Sequence, residues 1–174
     1  REVHRVYLAN MPSRWRGKHA SEAEVKMKKE VFFRILAPLI LRSNELIMQD
    51  RVRLQSISEG SEVDAAWLSD LGMRYRVLES ADDPVGPEQI KKLIKRVDIV
   101  PPSMAMAQTA EESGLGTSRF ADQGNAMFGQ WAWGDHDTQH EQHRYDNDNS
   151  DIAAFDRTQG PVTRRLLDQN YHPP

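Results

Sequence analysis

The sequence predicts a mainly α fold with a small β-hairpin. Three observations carry that prediction. Apolar residues recur at three- and four-residue spacing through most of the first hundred positions. Residues that start and stop helices punctuate those stretches. Period-two alternation shows only around Gln139 to Tyr145, with a return from Ile152 to Phe155 that completes a hairpin across Asp146-Asn147-Asp148-Asn149-Ser150.

Taken in order, residues 1–20 hold Pro12, Gly17 and scattered charges and read as an N-terminal arm lying over the domain surface. Residues 21–174 read as one domain. It comprises a helical packing segment (21–100), a core (101–134), a β-lobe (135–157) and a C-terminal helix (158–174). Ser21-Glu22-Ala23-Glu24 fits a capping box, with Glu24 reaching back to the start of its helix. Val31, Phe32, Ile35, Leu36, Leu39, Leu46 and Ile47 then follow at helical spacing. Pro38 lacks an N–H to donate and is expected to bend or break that helix. Gly60 stops it, and Ser61 starts another that presents Trp67, Leu68, Leu71 and Tyr75. Asp83-Pro84-Val85-Gly86-Pro87 reads as a loop, with Pro87 suited to the first turn of a short helix. That helix turns Ile90, Leu93, Ile94 and Val97 inward.

Composition narrows the function classes. A chain of 174 residues can bury a single core. A net charge of −3 gives no reason to expect a nucleic acid or an anionic membrane as partner. No apolar run reaches the roughly 18 residues that a bilayer span needs. The absence of cysteine excludes disulfides and thiolate catalysis. There is no internal repeat.

The chemistry concentrates at Ala107-Gln108-Thr109-Ala110-Glu111-Glu112-Ser113-Gly114-Leu115-Gly116-Thr117-Ser118. A helix is expected after Pro101-Pro102, with Ser103 as N-cap and Ala105, Ala107 and Ala110 small enough for close packing. Gln108 lies one turn before Glu112 on the same face. Gly114 and Gly116 end the helix and leave room for a sugar, and Thr117 is placed to cap a short helix carrying Arg119 and Phe120. A carboxylate at a helix C-terminus faces the negative end of the dipole, which disfavours its charged form, and burial acts the same way. A carboxylic acid that keeps its proton is what cleavage of a glycosidic bond needs as a donor, the pattern of lysozyme. The plain alternative is that Glu111 and Glu112 are two solvated acids at a helix end.

Gly124 to Trp131 reads as a turn at Asn125 followed by an apolar plug, with Phe128 in the core. Trp131 and Trp133 suit either sugar stacking or ordinary packing. In the polar stretch 135–151, His136, His140 and His143 sit beside Asp135, Asp137 and Glu141. Such side chains bind zinc in other settings, but no recognised ligand spacing is present, so no metal and no cofactor are expected.

The run MAMAQTAEESGLGTSRFADQGNAMFGQW, from Met104 to Trp131, resembles the bacterial glucosaminidase-domain peptidoglycan hydrolases. These include the hydrolase domain of the flagellar rod protein and, more closely, the Bax-like envelope proteins. AQ-x-A-x-ESG-x-G, TSRFA and GN-x-x-FGQW carry the resemblance, in order, over about thirty residues. At lower specificity it extends from near Val6 to His172.

The resemblance implies a lysozyme-like helical domain, with the β-hairpin lobe beside a substrate groove. It places the catalytic acid at the Glu before Ser-Gly, which is Glu112, and leaves Glu111 a bystander. The implied reaction is cleavage of the β-1,4 bond after N-acetylglucosamine in peptidoglycan glycan strands, in a periplasmic or envelope setting. Gln108, Ser113 and Gln130 are the expected hydrogen-bonding neighbours, and Phe128 and Trp131 the expected lining. In several relatives a mobile β-lobe brings a second carboxylate; Glu141 is the candidate, with Asp137 and Asp151 as rivals. Separation of about 6.5–9.5 Å from the acid suits a water-activating base. The substrate's own acetamido group is the alternative to it.

Three departures stand out. Leu115 occupies a position where the family often has tryptophan. Phe155 stands where flagellar-type relatives have an active-site tyrosine, although Bax-like relatives also carry phenylalanine there. The chain opens on Arg1 and stops at Pro174 where the family continues into another helical segment, so a longer natural chain is expected. Two other readings stay open: a muramidase or lytic transglycosylase on the same fold, and a non-catalytic wall-binding module.

Overall fold

A computed structural model of the protein describes residues 3–8, 12, 15, 20, 22–58, 64–118, 121, 142–144 and 153–155. Among these residues the fold is mainly helical, with helices α1 (Val25–Ser58), α2 (Ala65–Arg74), α3 (Pro87–Arg96) and α4 (Pro102–Glu112). Strands β1 (Gln142–Arg144) and β2 (Ala153–Phe155) follow. They pair antiparallel, Gln142 opposite Phe155, His143 opposite Ala154 and Arg144 opposite Ala153. The loop and flanks of the expected lobe, like the expected C-terminal helix, lie outside the described residues. The described backbone groups into two compact units, one of the residues within Arg1–Leu41 and Pro101–Arg165, the other of those within Arg42–Val100.

Helix α1 corrects the expected capping box and excludes a break at Pro38. It begins at Val25, with Lys28 N–H donating to Glu24 O at 2.9 Å. Glu24 therefore precedes the helix and does not occupy its third position as a capping box requires; Ser21 lies outside the described residues. Pro38 sits inside α1, and helical backbone continues through it to Ser58. Proline within a helix costs about 3 kcal/mol. The buried Ile35, Leu36, Leu39 and Ile40 on either side offset it, at about 1.5–3 kcal/mol each. Together with Phe32, Ala105, Thr109 and Ser113 they form the interior of the first unit.

The second unit is built on Ile47, Leu54, Ile57, Leu68, Leu71, Tyr75, Leu78, Leu93, Val97 and Val100. Helix α2 starts one turn later than expected, because Asp64 caps it and its carboxylate accepts the Trp67 N–H at 3.1 Å. Gly60 and Ser61 lie outside the described residues. The same carboxylate pairs with Arg53 at 2.9 Å, and the guanidinium stands 4.0 Å from the centre of the Trp67 ring. Those hydrogen bonds hold the exposed Asp64 carboxyl below its ordinary range, the Trp67 N–H foremost and Arg53 next.

Helix α3 begins as the sequence indicates. Pro87 fills its first turn, and Gly86 N–H donates to the Gln89 side chain at 3.2 Å. Leu93 and Val97 are buried, while Ile90 and Ile94 are half-buried. Two polar residues of α1 fasten the segment that follows. Arg51 donates to Ile94 O and Val97 O at 2.9 and 2.6 Å, and Asn44 binds both backbone groups of Val100. Arg96 performs the same service for α2, donating to Tyr75 O and Arg76 O at 3.0 and 2.8 Å.

Candidate active site

Helix α4 starts on the proline pair. Pro101 is the N-cap, Pro102 opens the helix, and Pro101 O accepts from Met104 N and Ala105 N at 3.0 and 3.1 Å. Ser103 is exposed inside the first turn and is not the cap. The fixed φ of proline suits a first helical position that has no N–H to place, and this puts the N-cap two residues earlier than expected. One face of α4 is buried: Ala105, Thr109 and Ser113, spaced four apart. Ala110 is half-buried, and Ala107 faces outward and does not help packing.

The helix ends on Glu112 with Ser113 as C-cap. The next three residues all have positive φ: Gly114 at 58°, Leu115 at 58° and Gly116 at 73°. Glycine reaches this region without strain, whereas an L-residue such as leucine meets a cost of about 1–2 kcal/mol there. Backbone bonds hold the turn in place. Gly114 N–H donates to Glu111 O (3.4 Å), Leu115 N–H to Ala110 O (2.9 Å) and Ser118 N–H to Ser113 O (3.0 Å).

Side-chain hydroxyls complete it. Ser113 Oγ donates to Thr109 O at 2.6 Å and accepts from Gly116 N–H at 2.9 Å. Thr109 Oγ1 donates to Ala105 O at 2.6 Å. The Thr117 hydroxyl donates back to Gly114 O at 2.7 Å, and the amides it is expected to cap lie outside the described residues. Ser118 Oγ accepts from Ala121 N–H at 3.2 Å. Arg119 and Phe120 lie outside the described residues.

Glu112 and Glu111 are both exposed, and Gln108 is half-buried one turn before Glu112. The burial invoked as one support for a proton-retaining acid is therefore not supplied at Glu112 by the described residues. Ser113 is 1% exposed with both hydroxyl functions engaged. The other predicted site residues, Phe128, Gln130, Trp131 and Glu141, lie outside the described residues, as do Asn125, Trp133, His136, His140, Asp135, Asp137 and Asp151. Among the described residues no group of three or more metal-ligating side chains occurs. No helix there is long and apolar enough to cross a membrane.

Thr109 and Ser118 are the residues that sequence reasoning passed over. The four-residue spacing of Thr109 and Ser113 on a helix is the signal for the first, because such hydroxyls bond the carbonyl one turn back. For the second, Ser118 stands one residue along from an equally good cap.

Residues 87–170 match the glucosaminidase family, described as mannosyl-glycoprotein endo-β-N-acetylglucosaminidase. The chain is 35% identical over 105 residues to Protein bax of Escherichia coli (strain K12), which covers 59% of this chain and 38% of that protein. The chain thus spans less than two-fifths of that relative's length. No solved structure matches it. The family match begins at the first residue of α3 and takes in the whole of α4 with its Glu112 terminus, so over these residues the chain is similar to the glucosaminidase family and, at 35% identity, to Protein bax.

Proposed function

We propose that this protein is a glycoside hydrolase acting on peptidoglycan glycan strands in the bacterial envelope. It cuts the β-1,4 bond after N-acetylglucosamine, with Glu112 as general acid. The observation that carries this reading is the place of Glu112: the last residue of α4, exposed, and followed by a glycine-flanked turn. The family description supplies the chemistry, since it names an N-acetylglucosaminidase.

In this mechanism the Glu112 carboxyl protonates the glycosidic oxygen as the bond to the anomeric carbon breaks. Charge develops on the sugar ring, and water completes the hydrolysis. Glu141 serves as the second carboxylate, activating that water from a β-lobe opposite the acid. Should the substrate acetamido group attack the anomeric carbon instead, no second carboxylate is required. Gln108 and Gln130 hold the sugar by hydrogen bonds, and Phe128 and Trp131 line a groove in a single lysozyme-like domain over residues 21–174. No cofactor enters the reaction.

The test is digestion of purified Gram-negative sacculi by the wild type and by Glu112→Gln, with fragments read by mass spectrometry. Fragments with reducing N-acetylglucosamine ends, released by the wild type alone, are expected. Reducing N-acetylmuramic acid or anhydro ends would move the cut to that of a muramidase or a lytic transglycosylase. Wall binding without release by either protein would make this a binding module. Unchanged turnover by Glu112→Gln would overturn the assignment of the acid.

A further inference from the structure

We infer that Ser113 is a positioning residue for Glu112: it sets the angle of the acid through the turn and makes no contact with the sugar. The inference rests on the proposed role of Glu112. A serine beside a catalytic acid invites a direct role, yet a hydroxyl has one proton to give, and Ser113 gives it to Thr109 O at 2.6 Å. Its lone pair takes the Gly116 N–H at 2.9 Å. At 1% exposure it presents no surface to a ligand.

Those two bonds differ from the backbone-to-backbone contacts of the turn. The neighbouring contacts, Leu115 N to Ala110 O and Ser118 N to Ser113 O, join backbone to backbone and form in many sequences that end a helix on glycine. The Ser113 hydroxyl ties the last helical turn, at Thr109, to the far end of the left-handed segment, at Gly116. Removing it leaves the buried Gly116 N–H without that partner and takes away a side-chain tie on a left-handed segment that includes Leu115. Glu112 stands between the two anchored points, so the direction of its Cα–Cβ bond follows the turn. Proton transfer to a glycosidic oxygen depends on that direction, and displacement of about 1 Å can cost on the order of 100-fold in rate.

The experiment uses the full chain with Ser113→Ala, Ser113→Thr and Glu112→Gln, assayed on soluble uncrosslinked glycan strands. Amide hydrogen exchange is followed in parallel. Ser113→Ala should stay folded, lose protection at the Gly116 amide, and drop in kcat by roughly 10- to 100-fold with KM within about twofold. Ser113→Thr, which keeps the hydroxyl, should restore both the protection and most of kcat. If the added methyl unfolds that variant, Ser113→Cys replaces it as the conservative change. A raised KM at unchanged kcat in Ser113→Ala would show direct sugar contact and overturn the inference. So would unchanged kcat with the Gly116 amide exposed. If Glu112→Gln keeps its activity, it is the reading of the acid that fails, whatever Ser113 does.

Discussion

Asn44 holds Val100 by both of its backbone polar groups, across 56 positions of sequence: its amide donates to Val100 O at 2.8 Å, and its side-chain oxygen accepts Val100 N–H at 3.2 Å. Both residues are buried, so water cannot replace either bond cheaply. Asn44→Ala should therefore destabilise the protein by about 2–3 kcal/mol, read from urea unfolding. Asn44→Asp should do no better, because it keeps the acceptor and turns a negative oxygen toward a carbonyl. A loss under about 0.5 kcal/mol for the alanine variant would show that the clamp contributes little.

Gly72 in α2 has no space for a side chain. A Cβ there would stand 2.6 Å from Leu78 Cδ1 and 2.7 Å from Leu78 Cγ, and Leu78 is itself buried. Alanine normally favours a helix interior over glycine by about 1 kcal/mol. The clash should outweigh that gain, making Gly72→Ala destabilising by about 1–3 kcal/mol. In a Leu78→Ala background the clash is gone and the same substitution should become stabilising. A double-mutant cycle of unfolding free energies measures the reversal; equal effects in both backgrounds would exclude the contact.

The Tyr75 hydroxyl is buried with no hydrogen-bond partner among the described residues. Burial first, and the nearby Asp50 carboxylate next, push its ionisation well above the ordinary tyrosine value of 10.0. The folded state thus keeps a proton that the unfolded chain releases. The stability tied to it is present below pH 10 and declines as pH rises beyond that point. Tyr75→Phe should be neutral, or stabilising by up to about 1 kcal/mol, at pH 7. It should also flatten the alkaline decline. Chemical denaturation across pH 8 to 11 decides the matter; a large loss at pH 7 would mean that the hydroxyl is bonded.

Asp64 has the opposite sign. Its carboxyl is held below the ordinary 3.8 by the Trp67 N–H and then by Arg53. The support it lends α2 is complete above that value and is lost as pH falls through the lower, folded-state one. Asp64→Asn retains the cap and removes the titration. Its melting temperature should depend less on pH below 4 than that of the wild type. Parallel curves for the two proteins would count against the cap.

The sequence was most legible where one residue type has one physical use. Pro87 follows a loop and has its φ already set for a first helical turn, and the spacing of Leu68, Leu71 and Tyr75 leaves one face to bury. It was less legible where several residues compete for one task. Ser61 and Asp64, Thr117 and Ser118, and Ser103 and Pro101 all lie within a turn of each other, and local chemistry does not rank them. Pro38 does not break its helix, because the local rule ignores the buried side chains around it. Asn44 and Arg51 were illegible for another reason: their partners lie far along the chain. Of the candidate site, the acid helix and its glycine stop were readable from Gln108 to Gly116. The left-handed Leu115 was not, since leucine carries no signature of positive φ.

For three residues after Ser113 the chain runs with the opposite hand, and this makes the turn a place where mirror-image building blocks belong. At Gly114, with φ of +58°, L-alanine would be strained even though the nearest neighbour, Thr117 Oγ1, leaves 3.5 Å. D-alanine prefers that very region and would narrow the unfolded ensemble without resisting the folded one. A chain assembled by peptide ligation with D-alanine at 114 should melt above the natural protein, and its L-alanine twin below it.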